Sequence, residues 1–163
     1  MNYQVSLQFK KQKLIQFKMR DIKTRVGFFA GSYDILHLGY MRLIDEALEN
    51  CDVLLIFLHE NPQIERPEKL EIVNSLEVRK EQLYRYCNPR KPIIRTYNTE
   101  EELLTLIKNY APDVRFQGED YKSKYFFTGS NLGIPTFWID RSHGISTTKL
   151  KESVAETVNK QKK

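Results

Sequence analysis

A chain of 163 residues, 40% of them hydrophobic, has material for one domain around one core and none for a second. Its net charge of +5 suits a polyanionic partner: nucleic acid, a membrane surface or a phosphorylated small molecule. No apolar run approaches the ~20 residues that span a bilayer, and Cys51 and Cys87 show neither metal-ligand spacing nor a disulfide framework, so a soluble cytoplasmic protein with reduced thiols is expected.

Residues 1–24 read as a basic extension, with Lys10, Lys11, Lys13, Lys18, Arg20 and Lys23 against Asp21, and YQVSLQF alternating as a strand would before a basic helix. The domain proper is expected over 25–158, and 159–163 form a second basic tail. Like-charge ends are usually solvated; nucleic-acid binding is the other reading, but no stacking-aromatic motif accompanies the charge. Short apolar runs predict strands near 26–30, 52–58, 93–97, 113–117 and 135–139. Between the first two, Met41, Ile44, Ala47 and Leu48 recur at helical spacing. SLEVRKEQLYRY opens on Ser75 as an N-cap, and the next helix opens on Thr99, has Glu100, Glu101 and Glu102 in its first turn, and is followed by Pro112. The last helix places Leu150, Val154 and Val158 on one face. This alternation predicts an α/β fold: a Rossmann-like five-stranded parallel sheet with helices on both faces.

In such sheets ligands bind beyond the carboxyl ends of the strands. The loops there are GSYDILHLGY (31–40), HENPQIERPEKL (59–70), QGEDYKSK (117–124) and RSHGISTT (141–148). In the first, Gly31 and Ser32 let backbone amides turn toward an anion, the helix beginning near Leu38 points its positive end there, and Gly39 lets phosphate oxygens approach its first turn. His37 and Tyr40, three residues apart, share one face of that turn. His37 taken alone reads equally as an incidental turn histidine, and Asp34 as a carboxylate that fixes the loop. In the last loop Arg141 offers a planar fork for phosphate oxygens, Gly144 permits close backbone approach, and Ser146, Thr147 and Thr148 precede a helix, as phosphate donors or as ordinary caps. Lys149 excludes a capping box.

Two motifs in this order resemble the cytidylyltransferase family, particularly its glycerol-3-phosphate branch, over about 25–155. GSYDILHLGY is similar to G-T-F-D-x-x-H-x-G-H, and RSHGISTT to R-T-E-G-I-S-T-T. Arg79 in SLEVRK matches an E-x-R-K helix, and GEDY with Lys124 matches G-D-D-W/Y followed by lysine. The resemblance implies transfer of CMP from CTP to a phosphorylated small alcohol such as glycerol 3-phosphate, with release of pyrophosphate, Mg²⁺ carried by the nucleotide, no further metal site, and a homodimer. Carried over by position, Ser32, Tyr33 and Asp34 fall in the nucleotide-contacting loop, His37 and Gly39 at the phosphates, and Arg141, Gly144, Ile145, Ser146 and Thr147 in the triphosphate segment. Lys69 falls near the family's lysines after the second strand, Glu119 replaces the first aspartate of G-D-D, and Asp120 keeps the second. Tyr40 stands where the signature has its second histidine. The alternatives are an adenylyltransferase using ATP and a catalytically weakened nucleotide-binding regulator.

Overall fold

The chain places its most apolar segment, Val53–His59, at β2 inside a sheet covered on both sides. Leu55 and Phe57 enter one core cluster, Leu54, Ile56 and Leu58 the other, and each side chain so buried contributes about 1.5–3 kcal/mol. β1 (Val26–Gly31) divides likewise, Phe28 facing one side and Phe29 the other. With β3 (Ile93–Tyr97), β4 (Val114–Gly118) and β5 (Thr136–Ile139) they form a parallel sheet of order β3-β2-β1-β4-β5. The expected fold is therefore present, with the second, fourth and fifth strands each beginning one residue later than expected. This computed structural model describes residues 24–124 and 126–162; the strand and basic helix expected in the N-terminal extension lie outside them.

α1 (Leu38–Asn50) and α2 (Leu76–Cys87) cover one face through Leu43, Ile44, Ala47 and Leu83; α3 (Glu100–Tyr110) covers the other through Leu103 and Ile107. Ser75 Oγ accepts from Val78 N at 3.3 Å and Thr99 Oγ1 from Glu102 N at 3.2 Å, as the capping pattern predicts. α4 (Thr147–Gln161) runs into the basic tail and has no fully buried residue. Its apolar stripe faces outward, Val154 being 64% and Val158 41% exposed. Cys51 and Cys87 are free and buried, and among the described residues no helix is long and apolar enough to cross a membrane.

Chain order leaves β1 for β2 and β3 on one side, then returns to β4 and β5 on the other. The strand order reverses between β1 and β4, so their two carboxyl-end loops diverge there and leave a crevice.

Candidate functional site

The turn after β1 is tightly held. Tyr33 adopts φ 47, a left-handed conformation uncommon for a side-chain-bearing residue, and its buried ring packs 5.0 Å from Phe29. Arg79, 2% exposed, ties this turn to β2: it donates to Ser32 O at 2.9 Å, His59 O at 2.8 Å, Glu60 O at 2.9 Å and Asn74 O at 3.1 Å. Asp34 accepts from the backbone amides of Val73 and Asn74 and pairs with Lys151 Nζ at 2.6 Å. Burial acts to raise the Asp34 carboxyl, but these donors outweigh it and hold the group below its ordinary value. Its oxygens are spent on the protein, which fits the loop-fixing reading of Asp34.

His37 is the N-cap of α1, and its Nδ1 accepts from Tyr40 N at 3.3 Å. A nitrogen that accepts carries no proton in the neutral ring, so Nε2 bears the hydrogen. That Nε2 is buried and has no partner among the described residues. Burial, with the Arg141 charge and His143 adding to it, pushes the imidazole down to about 4. At neutral pH His37 is thus a neutral donor with its bond unmade.

Tyr40 stacks on His37 with ring centroids 4.1 Å apart at 17°, and tilts against Tyr33 at 4.4 Å. Its phenol faces the Thr147 hydroxyl at the start of α4. Burial raises its pKa above the ordinary value, so it too stays protonated. Tyr40 therefore lies between the N-termini of α1 and α4, and the buried Thr147 Oγ1 has no hydrogen-bond partner among the described residues.

The segment after β5 comes to the same place. Gly118, ending β4, leaves room for the Arg141 stem: a Cβ there would stand 3.0 Å from Arg141 Cγ. Asp120 Oδ1 lies 4.0 Å from Arg141 Nε, Glu119 Oε1 accepts from Arg141 N at 3.5 Å, and Glu119 also pairs with Lys122 at 3.6 Å. These two acids sit beside Arg141. Gly144 takes φ 66, the left-handed turn that leads into α4, and Ser146 caps that helix by accepting from Lys149 N at 3.3 Å. Ile145 N is turned inward, donating to His143 Nδ1 at 3.0 Å.

A cleft of about 660 Å³ opens over these elements, and its lining includes Ser32, Tyr40, Arg141 and Thr147 together with Arg66 and Arg115. Lys69 is exposed on the loop after β2 and lines the cleft. Sequence reasoning passed over four participants. Lys151 secures Asp34; His143 packs beside Gly39; Arg66 Nη2 lies 3.3 Å from His59 Nδ1 and leaves a buried Nε without a partner. Arg115 lies between Phe28 and Phe127, 4.8 Å from each ring, and burial pushes it down to about 10. Helical spacing gives Lys151 no signal, because its partner is more than a hundred positions away. The cleft lining offers cations and hydrogen-bond donors, groups that can neutralise phosphate oxygens.

The cytidylyltransferase-like family model matches residues 28–153. The bifunctional protein HldE of Campylobacter jejuni (strain RM1221) is 29% identical over 157 residues, 96% of this chain and 33% of that protein, so the chain spans about a third of such relatives. The glycerol-3-phosphate cytidylyltransferase of Bacillus subtilis (strain 168) is 28% identical over 127 residues, 77% of this chain and 93% of that protein. Among solved structures, a pantoate-β-alanine ligase from Francisella tularensis shares the fold with a TM-score of 0.54 at 13% identity, covering 78% of this chain and 68% of that one. With most of its length matched by the family model and its GSYDILHLGY and RSHGISTT segments meeting at one cleft, the chain belongs to the cytidylyltransferase-like family of nucleotidyltransferases.

Proposed function

We propose that this chain transfers CMP from CTP to a phosphorylated small alcohol, glycerol 3-phosphate or a close analogue, and releases pyrophosphate. The observation that carries the reading is the meeting of the Ser32–Tyr40 turn and the Arg141–Thr147 segment, which brings two helix N-termini to one cleft, with the unused Nε2–H donor of His37 buried beside Tyr40. The cytidylyl form of RSHGISTT and the similarity to a glycerol-3-phosphate cytidylyltransferase over 93% of its length support CTP and that acceptor.

An acceptor phosphate oxygen attacks the α-phosphorus, a P–O–P bond forms, the bond to the β-phosphate breaks, and pyrophosphate leaves with the electron pair. A phosphate dianion is already a nucleophile, so no side chain need take a proton; the protein's task is positioning and charge neutralisation. Arg141, His37 and the amides opening α4 would hold the triphosphate, while Tyr40 would donate from between the two helices. Ser32, Tyr33 and Gly39 would shape the nucleotide side of the turn. Arg66, Lys69 and Arg115, which also line the cleft, would supply positive charge for the acceptor phosphate. Mg²⁺ would arrive ligated by the triphosphate, where it would neutralise phosphate charge.

Pyrophosphate release tests this directly, with CTP or ATP against glycerol 3-phosphate and a panel of phosphorylated alcohols and sugars. CTP with glycerol 3-phosphate is expected to be fastest. Faster turnover with ATP would replace the donor, and nucleotide binding without turnover on any acceptor would leave a regulator. Arg141→Ala is expected to lose nucleotide affinity and Arg141→Lys to recover little, since a point charge cannot reproduce the fork.

A further inference from the structure

His143 and His37 approach Gly39 from different loops. A Cβ on Gly39 would lie 2.6 Å from His143 Cε1 and 3.0 Å from His37 Cε1, so only a hydrogen at this position lets both imidazoles sit against the first turn of α1. Each ring is fixed in the same way. His37 Nδ1 accepts from Tyr40 N, His143 Nδ1 accepts from Ile145 N, and in each neutral ring the proton is thereby confined to Nε2. Both Nε2 atoms are buried, and neither has a partner among the described residues. A buried donor left unmade costs about 1–3 kcal/mol, and two at one glycine are hard to account for by packing alone.

We infer that His143 binds the triphosphate through Nε2–H, forming with His37 a two-donor clamp for phosphate oxygens over Gly39. The inference rests on the nucleotidyl-transfer reading above and adds a substrate-touching residue to it. Arg141 stands next to the clamp and Tyr40 backs His37, so the ligand it fits is a phosphate chain with negative charge on successive groups. Hydrogen bonds from neutral N–H to phosphate gain strength in a site closed from water, which is the environment both Nε2 atoms already have.

His143 also shapes its loop through the Ile145 amide, and the two roles separate by substitution. His143→Asn retains an oxygen that can accept from the amide two residues on, but it lacks the reach of the imidazole Nε2. His143→Ala removes both. Tripolyphosphate and CTP affinity would be measured by titration calorimetry for wild type and both variants, alongside thermal melting and pyrophosphate release. Expected are a loss of tenfold or more in tripolyphosphate affinity and a parallel fall in turnover for both variants, with His143→Asn melting near wild type. Wild-type affinity in His143→Asn would reduce His143 to a loop former and overturn the clamp while leaving nucleotidyl transfer intact. A wild-type protein that binds neither tripolyphosphate nor CTP nor ATP would overturn the transfer reading and the clamp with it.

Discussion

Lys151 Nζ stands 2.6 Å from Asp34 Oδ2, with the Lys151 side chain 15% and the Asp34 side chain 1% exposed. This pair joins the helix that follows the last strand to the turn that follows the first. Asp34 also holds the amides of Val73 and Asn74, so one carboxylate fixes three segments around the cleft. Lys151→Met leaves that carboxylate buried without its cation, and a loss of about 3 kcal/mol is expected in denaturant unfolding. Because the Asp34 carboxyl is held below its ordinary value, its contribution to stability is present above the unfolded value of about 4 and disappears as pH falls through the lower folded value. Asp34→Asn should therefore lower stability at neutral pH and flatten the acid limb. An unchanged acid limb would show that Asp34 does not carry it.

Gly39 sets helix propensity against site geometry. Alanine in the first turn of α1 gains up to about 1 kcal/mol in propensity over glycine. Its methyl would sit 2.6 Å from His143 Cε1 and 3.0 Å from His37 Cε1, closer than such contacts allow. The rings must swing away, and the opposing terms leave net stability within about 1 kcal/mol while activity falls by roughly 10²-fold, the scale for removing a preorganised phosphate donor. Near-normal turnover in Gly39→Ala would mean that the imidazoles are not needed where they stand.

The pH behaviour of His37 follows from its pKa near 4. An unfolded histidine titrates near 6.5, so between about 6.5 and 4 the unfolded chain binds a proton that the folded chain refuses. Stability from this group is complete above pH 6.5 and declines as pH falls toward 4. His37→Gln removes that component, and the slope of unfolding free energy against pH in this window should decrease. Turnover, in contrast, should show no limb from His37 protonation between pH 5 and 8. A kinetic limb near 6 that disappears in His37→Gln would place a charged imidazole in the reaction.

The sheet was legible because β2 and β1 are apolar on both faces, and Ser75 and Thr99 cap as their residue types require. The convergence of GSYDILHLGY and RSHGISTT on one cleft was legible from strand-end topology. Side-chain partners across long sequence separation were not. Nothing in the spacing links Asp34 to Lys151, gives Arg79 its four carbonyls, or brings His143 to Gly39; those contacts arise only when the sheet order sets the loops side by side. Val154 and Val158 show the opposite failure: periodicity marks an apolar stripe but does not say that the described residues leave it exposed.

Tyr40 holds two separable functions in one side chain. Its ring supports His37 at 4.1 Å and packs on Tyr33, while its phenol faces Thr147 across the gap between the helix N-termini. Tyr40→Phe keeps the ring and loses the donor. A hydrogen bond of about 1 kcal/mol corresponds to roughly fivefold, so turnover should fall by that order while the melting temperature stays close to wild type. Tyr40→Ala loses both, freeing His37 to leave its rotamer and opening a void under Tyr33, and turnover should fall by roughly 10²-fold with a clear loss of stability. Measured at saturating nucleotide and one pH, equal rates in Tyr40→Phe and Tyr40→Ala would show that the ring does not position His37. Wild-type rates in Tyr40→Phe would instead remove the phenol from the chemistry and leave Tyr40 as a platform, with phosphate neutralisation resting on the histidines, Arg141 and the helix ends.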